Sequence, residues 1–412
     1  MTYVPSNALL DAPFDFTNPE TGRKEITQSF ANTYTLCNRK GFFNGPERLE
    51  PLEERKPLSF GDLWHRVMAT HWALVAKNQP EGMCHVGVKF YGSVDRAVAN
   101  WKYERQEANK DEYDTDEWAD LALSMYEQYA KQFGEQDQQN YKVLAVELTI
   151  RRAILNLDGS DTGWDMVGTP DLILWDRVNK RMLVIDHKST ASRRESFYQD
   201  LDETMQGWDY SWLASHEFGV PCYDFMINAA RKKTPTKPSL LKTTLSAKKG
   251  DDNALPLHIR KLFKGLPSPT KVPDTTYEIF TRTLNDAIAL HEDDQLRNPG
   301  IELLIREQYK HIEHALFSRS DENGTEFTWR KSCFYTDEHH LRFQLHMLSV
   351  TRSLDAERMW MQNLDACELR ERHCPYRMLC VSGDGPLTRK AYRQRPEGQV
   401  LASMTNKEQS NS

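Results

Sequence analysis

No stretch of this chain approaches a 20-residue apolar run, so no membrane-spanning helix is expected. The first residues, Met1-Thr2-Tyr3-Val4-Pro5-Ser6, lack a basic segment followed by an apolar one, so a secretory leader is not expected either. Without one, the seven cysteines belong in a reducing cytoplasm, where a metal or cluster role is favoured over a disulfide framework. A glycine-rich Lys-Ser/Thr phosphate loop is missing, which excludes a nucleotide-driven motor within the chain. There is no internal repeat. Apolar residues make up only 39% of the chain, but 10 Trp, 16 Tyr and 17 Phe suffice for a core; the low hydrophobicity signals a large polar surface rather than disorder.

At 412 residues, two or three folding units or one large decorated domain are expected. The net charge of −7 argues weakly against a polyanionic partner, yet local charge decides such binding. Ten Lys and Arg lie between Arg231 and Lys264 against two acids, Asp251 and Asp252, while the acidic excess sits around Glu104 to Glu135.

A short helical piece is expected at Ser29 to Phe43, and Leu63, Val67, Trp72 and Val75 recur at helical spacing. Asp111 to Phe133, Glu203 to Phe218 and residues 276–318 also read as helical. Residues 337–364 read as a helix with Leu341, Leu345, Leu348, Leu354 and Met359 on one side. Strands are expected at Val143 to Leu157, Asp171 to Trp175, Arg181 to Ile185 and Tyr223 to Ala230, the middle two joined as a hairpin by the polar Asp176 to Lys180. The expected organisation is an N-terminal segment (1–56), an α/β core with a mixed central sheet flanked by helices (57–230), a basic Pro-containing loop (231–275), a helical region (276–385) and a frayed polar tail (386–412).

The chemistry concentrates on the hairpin. Gly168-Thr169-Pro170-Asp171 opens one strand, and the next ends in Val184-Ile185-Asp186-His187-Lys188. Alternation puts Asp186 and Lys188 on one face and His187 on the other, and the hairpin returns Asp171 to the same edge. Carboxylates suit a hard divalent ion such as Mg²⁺ or Mn²⁺, the His187 carbonyl offers another oxygen, and a neighbouring lysine can orient a water.

These residues resemble the PD-(D/E)XK nuclease superfamily, and within it the RecB-like enzymes. Phe60-Gly61-Asp62-Leu63-Trp64-His65 resembles the family's Gly-x-x-x-His helix, which implies His65 as a metal ligand beside Asp171, Asp186 and the His187 carbonyl. Glu147 falls where the family carries a glutamate before the hairpin. Gln206 and Tyr210 resemble its Gln-x-x-x-Tyr pair, which lines the site. Cys367, Cys374 and Cys380 form a C-terminal group, with Cys37 the candidate fourth thiol; this resembles the AddB-like arrangement and implies a [4Fe–4S] cluster, with Zn²⁺ the alternative and His373 a conceivable ligand. Six residues rather than two separate Cys367 from Cys374, a departure from the commonest family spacing. Cys84, Cys222 and Cys333 read as small apolar residues.

The resemblance implies exonuclease action on single- or double-stranded DNA ends in recombination or repair, with any helicase or recombinase on a separate chain. No helix-turn-helix or zinc-finger pattern appears, so little sequence specificity is expected. Two rivals are a non-catalytic DNA-binding scaffold that keeps the fold and a zinc-stabilised interaction protein. The intact Asp-Asp-Lys set argues against the scaffold, which has no need of buried charges.

Overall fold

A computed structural model describes residues 16–52, 56–80, 84–107, 115–194, 197, 205–235, 272, 274–289, 299–319, 327–356, 360, 363, 365–367 and 374–395. In chain order the elements are β1 (Lys24–Ile26), α1 (Gln28–Leu36), α2 (Asn38–Asn44), β2 (Leu49–Pro51), α3 (Lys56–Asn78), β3 (His85–Val86), α4 (Val94–Glu107), α5 (Thr115–Tyr129), α6 (Glu135–Asn140), β4 (Tyr141–Val146), β5 (Ile150–Leu155), β6 (Asp161–Gly168), β7 (Leu172–Asp176) and β8 (Arg181–Thr190). There follow α7 (Met205–Phe218), β9 (Asp224–Arg231), α8 (Tyr277–Ala289), α9 (Pro299–Arg319), β10 (Thr328–Phe334), α10 (Asp337–Ala356), α11 (Arg377–Val381), α12 (Pro386–Arg389) and β11 (Tyr392–Gln394).

The expected α/β class holds: a six-stranded mixed sheet, in the order β10-β9-β8-β7-β4-β3, is flanked by helices. Its β8–β9 and β3–β4 pairs are parallel, the rest antiparallel. A smaller sheet orders β1-β6-β5, and β2 pairs with β11. The hairpin forms because Asp176 folds its own turn: its Oδ1 accepts from the backbone N–H of Val178 at 2.8 Å and of Asn179 at 2.9 Å.

Alternation along β8 splits its side chains between two cores. Met182 and Val184 pack under α1, α7 and α10, while Leu183 and Ile185 pack under α3, α4 and α5. The α3 stripe of Leu63, Trp64, Val67, Met68 and Trp72 is fully buried in the second core. Burial of each such side chain contributes about 1.5–3 kcal/mol.

Five readings of the sequence need correction. The strand expected over Val143 to Leu157 is two, β4 in the central sheet and β5 in the small one, because the backbone turns left-handed at Glu147 (φ 49°). The helical piece at Ser29 to Phe43 breaks at Cys37, which is extended (φ −159°). The central sheet takes its edge strand β10 from residues 328–334, beyond the expected core. On α10 the buried face carries His340, Phe343, Met347, Leu348 and Val350, while Leu341 and Leu345 point outward. The start of the tail is ordered, since β11 pairs with β2. Residues 236–271, most of the basic loop, and 396–412 lie outside the described residues.

Candidate active site

The register of β7 and β8 pairs Leu172 with Ile185, so the next step brings Asp171 opposite Asp186 at the mouth of the hairpin. Asp186 and Lys188 share the face turned to α7, where Lys188 Nζ lies 3.0 Å from Asp186 Oδ1 and 2.7 Å from Oδ2. Lys188 Nζ also donates to Gln206 Oε1 at 3.2 Å. Gln206 Nε2 in turn reaches Asp186 Oδ1 at 3.4 Å and the Tyr210 hydroxyl at 3.2 Å. The i, i+4 spacing of Gln206 and Tyr210 therefore works as a single face of α7.

His65 comes in from α3. Its Nδ1 lies 3.1 Å from Asp171 Oδ2 but makes no hydrogen bond, although it is buried. Asp171 Oδ2 also accepts from the His187 N–H at 2.7 Å. Glu147 completes the group: its N–H donates to the Asp171 carbonyl at 2.9 Å, and donor atoms of His65, Glu147 and Asp171 all lie within 4.8 Å of one another.

The electrostatics describe a site crowded with negative charge. Burial, aided by the charges of Asp171 and Asp186, raises the Glu147 carboxyl well above the usual range. Burial also raises Asp186, against the pull of Lys188. Asp171 resists burial because His65 offsets it, and its carboxyl is held near about 2. Burial lowers His65, but Asp171 and Glu147 outweigh it and raise the imidazole to about 9. Burial likewise opposes the Lys188 charge, and Asp186 and Asp171 more than compensate. Three buried carboxylates facing one lysine and one imidazole, with a buried imidazole nitrogen left without a hydrogen bond, fit a divalent cation.

The His187 side chain lies behind the site. Its Nδ1 accepts from Asn228 Nδ2 at 2.9 Å, Asn228 Oδ1 accepts from Arg330 Nε at 3.3 Å, and Arg330 Nη1 reaches Asp137 Oδ1 at 2.7 Å. This imidazole is pushed down to about 3 by burial. The buried Arg330–Asp137 pair, costly to break by about 3–5 kcal/mol, ties β10 to α6, and the His187–Asn228–Arg330 bonds link β8, β9 and β10 beneath the face that carries Asp186 and Lys188. Sequence reading missed Asn228, Arg330 and Asp137, whose roles arise only from cross-strand register. It also missed Asp62, three residues before His65 on α3; burial raises its carboxyl, and its charge reaches both His65 and Glu147. The helical spacing of Asp62 and His65 was a usable signal.

The cysteines gather around a separate apolar cluster of Phe42, Phe43, Leu49, Tyr376 and Leu379, against which Cys374 and Cys380 pack. Cys37 is buried between α1 and α2, and its Sγ accepts from the Asn363 N–H at 3.4 Å. The Cys374 N–H donates to the Cys367 carbonyl at 3.0 Å, and Cys380 lies on α11. Burial raises Cys374 and pushes Cys380 up to about 11, and each thiol feels the charge of Cys37 and Cys367. The structure thus brings all four into one neighbourhood. Among the described residues, no three of these sulfurs lie within 4.8 Å of one another. His373 lies outside the described residues. Of the basic segment, Lys232 sits 5.0 Å from the Phe60 ring, while Arg231 and Lys233 are both paired with Asp274. No described helix is long and apolar enough to cross a membrane.

A family model for the PD-(D/E)XK nuclease superfamily matches residues 25–381. A comparison with curated proteins gives no match.

Proposed function

The chain belongs to the PD-(D/E)XK nuclease superfamily, and from that we propose that it is a Mg²⁺- or Mn²⁺-dependent deoxyribonuclease of the RecB-like kind, acting as an exonuclease at DNA ends in recombination or repair. The observation that carries the reading is the meeting of Asp171, Asp186 and Lys188 with His65 and Glu147 in one buried, acid-rich group. His65, Asp171, Asp186 and the His187 carbonyl would hold the ion, with Glu147 beside them. When bound, a divalent ion lowers the pKa of a coordinated water and neutralises phosphate charge. Lys188, tied to Asp186 and Gln206, is placed to orient the attacking water. Gln206, bonded to Lys188 and to the Tyr210 hydroxyl, would steady that lysine, and the pair would steady the site or scissile strand.

Cys37, Cys367, Cys374 and Cys380 would hold a [4Fe–4S] cluster with a structural role. The preference for this cluster over a tetrahedral zinc rests on the resemblance to the AddB-like arrangement, since four thiolates can hold either. The basic segment 231–264 would track phosphates, and any helicase or recombinase would be a separate chain.

The test is degradation of end-labelled linear single- and double-stranded DNA by anaerobically purified protein with Mg²⁺, Mn²⁺ or EDTA, beside Lys188→Ala. Metal-dependent cutting that the variant lacks supports the reading, and the label pattern gives the polarity. Inert wild-type protein with its cysteine site loaded refutes it. Iron, sulfide and zinc analysis of the same preparation decides the cluster.

A further inference from the structure

Between β3 and α4 runs the loop Gly87-Val88-Lys89-Phe90-Tyr91-Gly92, which the catalytic group does not use. Its root is locked to the site. The Gly87 N–H donates to the Val146 carbonyl at 2.8 Å, and a Cβ on Gly87 would lie 2.0 Å from the carbonyl oxygen of Glu147. Only glycine permits that approach, so the loop is registered on the residue that closes the acid group.

From there the loop carries aromatic rings among cations. Phe90 is 43% exposed, and Lys77 Nζ lies 4.7 Å from its ring centroid. The Tyr91 ring lies 5.5 Å from Lys89 Nζ and 5.7 Å from Arg66 Cζ, and Arg66 directly follows His65. No acid occurs between Gly87 and Gly92, in a chain whose net charge is −7. Cation–π contact accounts for the pairing of these groups but not for the exposure of the Phe90 ring. Rings interleaved with cations match a single nucleic-acid strand: bases stack on the rings and phosphates meet the cations, whereas a duplex keeps its bases stacked inside.

Resting on the deoxyribonuclease reading above, we propose that this loop and the adjoining side of α3 grip one unpaired DNA strand, Phe90 and Tyr91 stacking on bases while Lys77 and Lys89 meet phosphates; Arg66, paired with Glu104 at 2.8 Å, supports the Tyr91 ring. The loop sets the preference for single strands and aligns the strand toward Glu147 and Asp171.

The test uses the full chain carrying Lys188→Ala, so that DNA survives the measurement. Fluorescence anisotropy with a short labelled single strand, and with its duplex, is compared between this parent and versions adding Phe90→Ala, Tyr91→Ala or Phe90→Tyr. Each alanine is expected to weaken single-strand binding roughly 5- to 150-fold, to change duplex binding less than about twofold, and to leave the melting temperature unchanged; Phe90→Tyr keeps the parent's affinity. Unchanged single-strand affinity, or an equal loss on both DNAs, overturns the loop assignment. If wild-type protein cuts DNA with metal while the loop variants bind like their parent, the loop assignment alone falls. If wild type cuts nothing and the parent binds neither DNA, both readings fall.

Discussion

At the scale of single residues, the site is a balance of buried charges in which each group sets its neighbour. Replacing Lys188 with Ala removes the cation nearest Asp186 and the donor to Gln206, and cleavage is expected to fall on the order of 10²–10³-fold in single-turnover assays. Lys188→Arg should not restore it, since a planar fork cannot occupy the place of a compact ammonium. A second prediction concerns His71, buried on α3 with its Nδ1 3.1 Å from the Tyr126 hydroxyl and pushed down by burial from 6.5 to about 4. Folding therefore favours its neutral form. Its contribution is complete above pH 6.5 and is lost as pH falls toward 4, by on the order of 3 kcal/mol. His71→Asn should flatten the fall of melting temperature across that window; an unchanged acid slope would sink the assignment. Asp171, Asp186 and Lys188 were legible in sequence because they sit on an alternating strand pair with a turn between them. Asn228 and Arg330 were not, because the bonds from His187 to Asn228 and from Asn228 to Arg330 depend on which strands lie side by side, a fact absent from local pattern.

At the scale of elements, short apolar runs bounded by polar turns announced β7, β8 and β9, which are buried on both faces, while helical patterning announced α3 and α7, which bury one. Such patterns misled at Glu147, where apolar character continues from β4 into β5 although a left-handed turn carries the chain from the central sheet into the small one. Hydrophobicity records burial on either side of such a turn and is silent about the turn itself. On α10, outward Leu341 and Leu345 show that an apolar stripe names a face only when the neighbour is known. The close approach of β3 to β4 yields a third prediction. Gly87→Ala would drive a methyl into the Glu147 carbonyl, a backbone atom that cannot swing away. Stability should drop by about 1–3 kcal/mol, and metal-dependent cleavage should fall further than the melting temperature alone accounts for. Cleavage that tracks stability alone would separate this contact from the site.

At the scale of the whole molecule, segments remote in sequence meet. Arg393 pairs with Glu50 at 3.0 Å, Arg389 with Glu47 at 2.8 Å, and the Tyr376 hydroxyl donates to the Leu49 carbonyl at 2.9 Å, all beside the cysteine neighbourhood. At the proposed cluster site, Cys37→Ser should abolish iron and sulfide content and lower stability by at most about 6 kcal/mol of chain-closure entropy, read as a lower melting temperature, since the strand pair still holds the same ends. Retained iron in that variant would remove Cys37 from the ligand set. Contact between Glu50 and Arg393 spans 343 positions. At ribosomal speeds of about 5–20 residues per second, that interval corresponds to roughly 20–70 s, during which β2 is already made and its partner strand is not. Throughout that time the N-terminal helices and the thiol of Cys37 wait unmatched on a growing chain. The join between β2 and β11 thus acts as a timer on assembly: the two ends can fasten only once nearly the whole chain has been made, and a message truncated before Cys374 yields the β7–β8 hairpin and Lys188 with nothing to fasten the two ends.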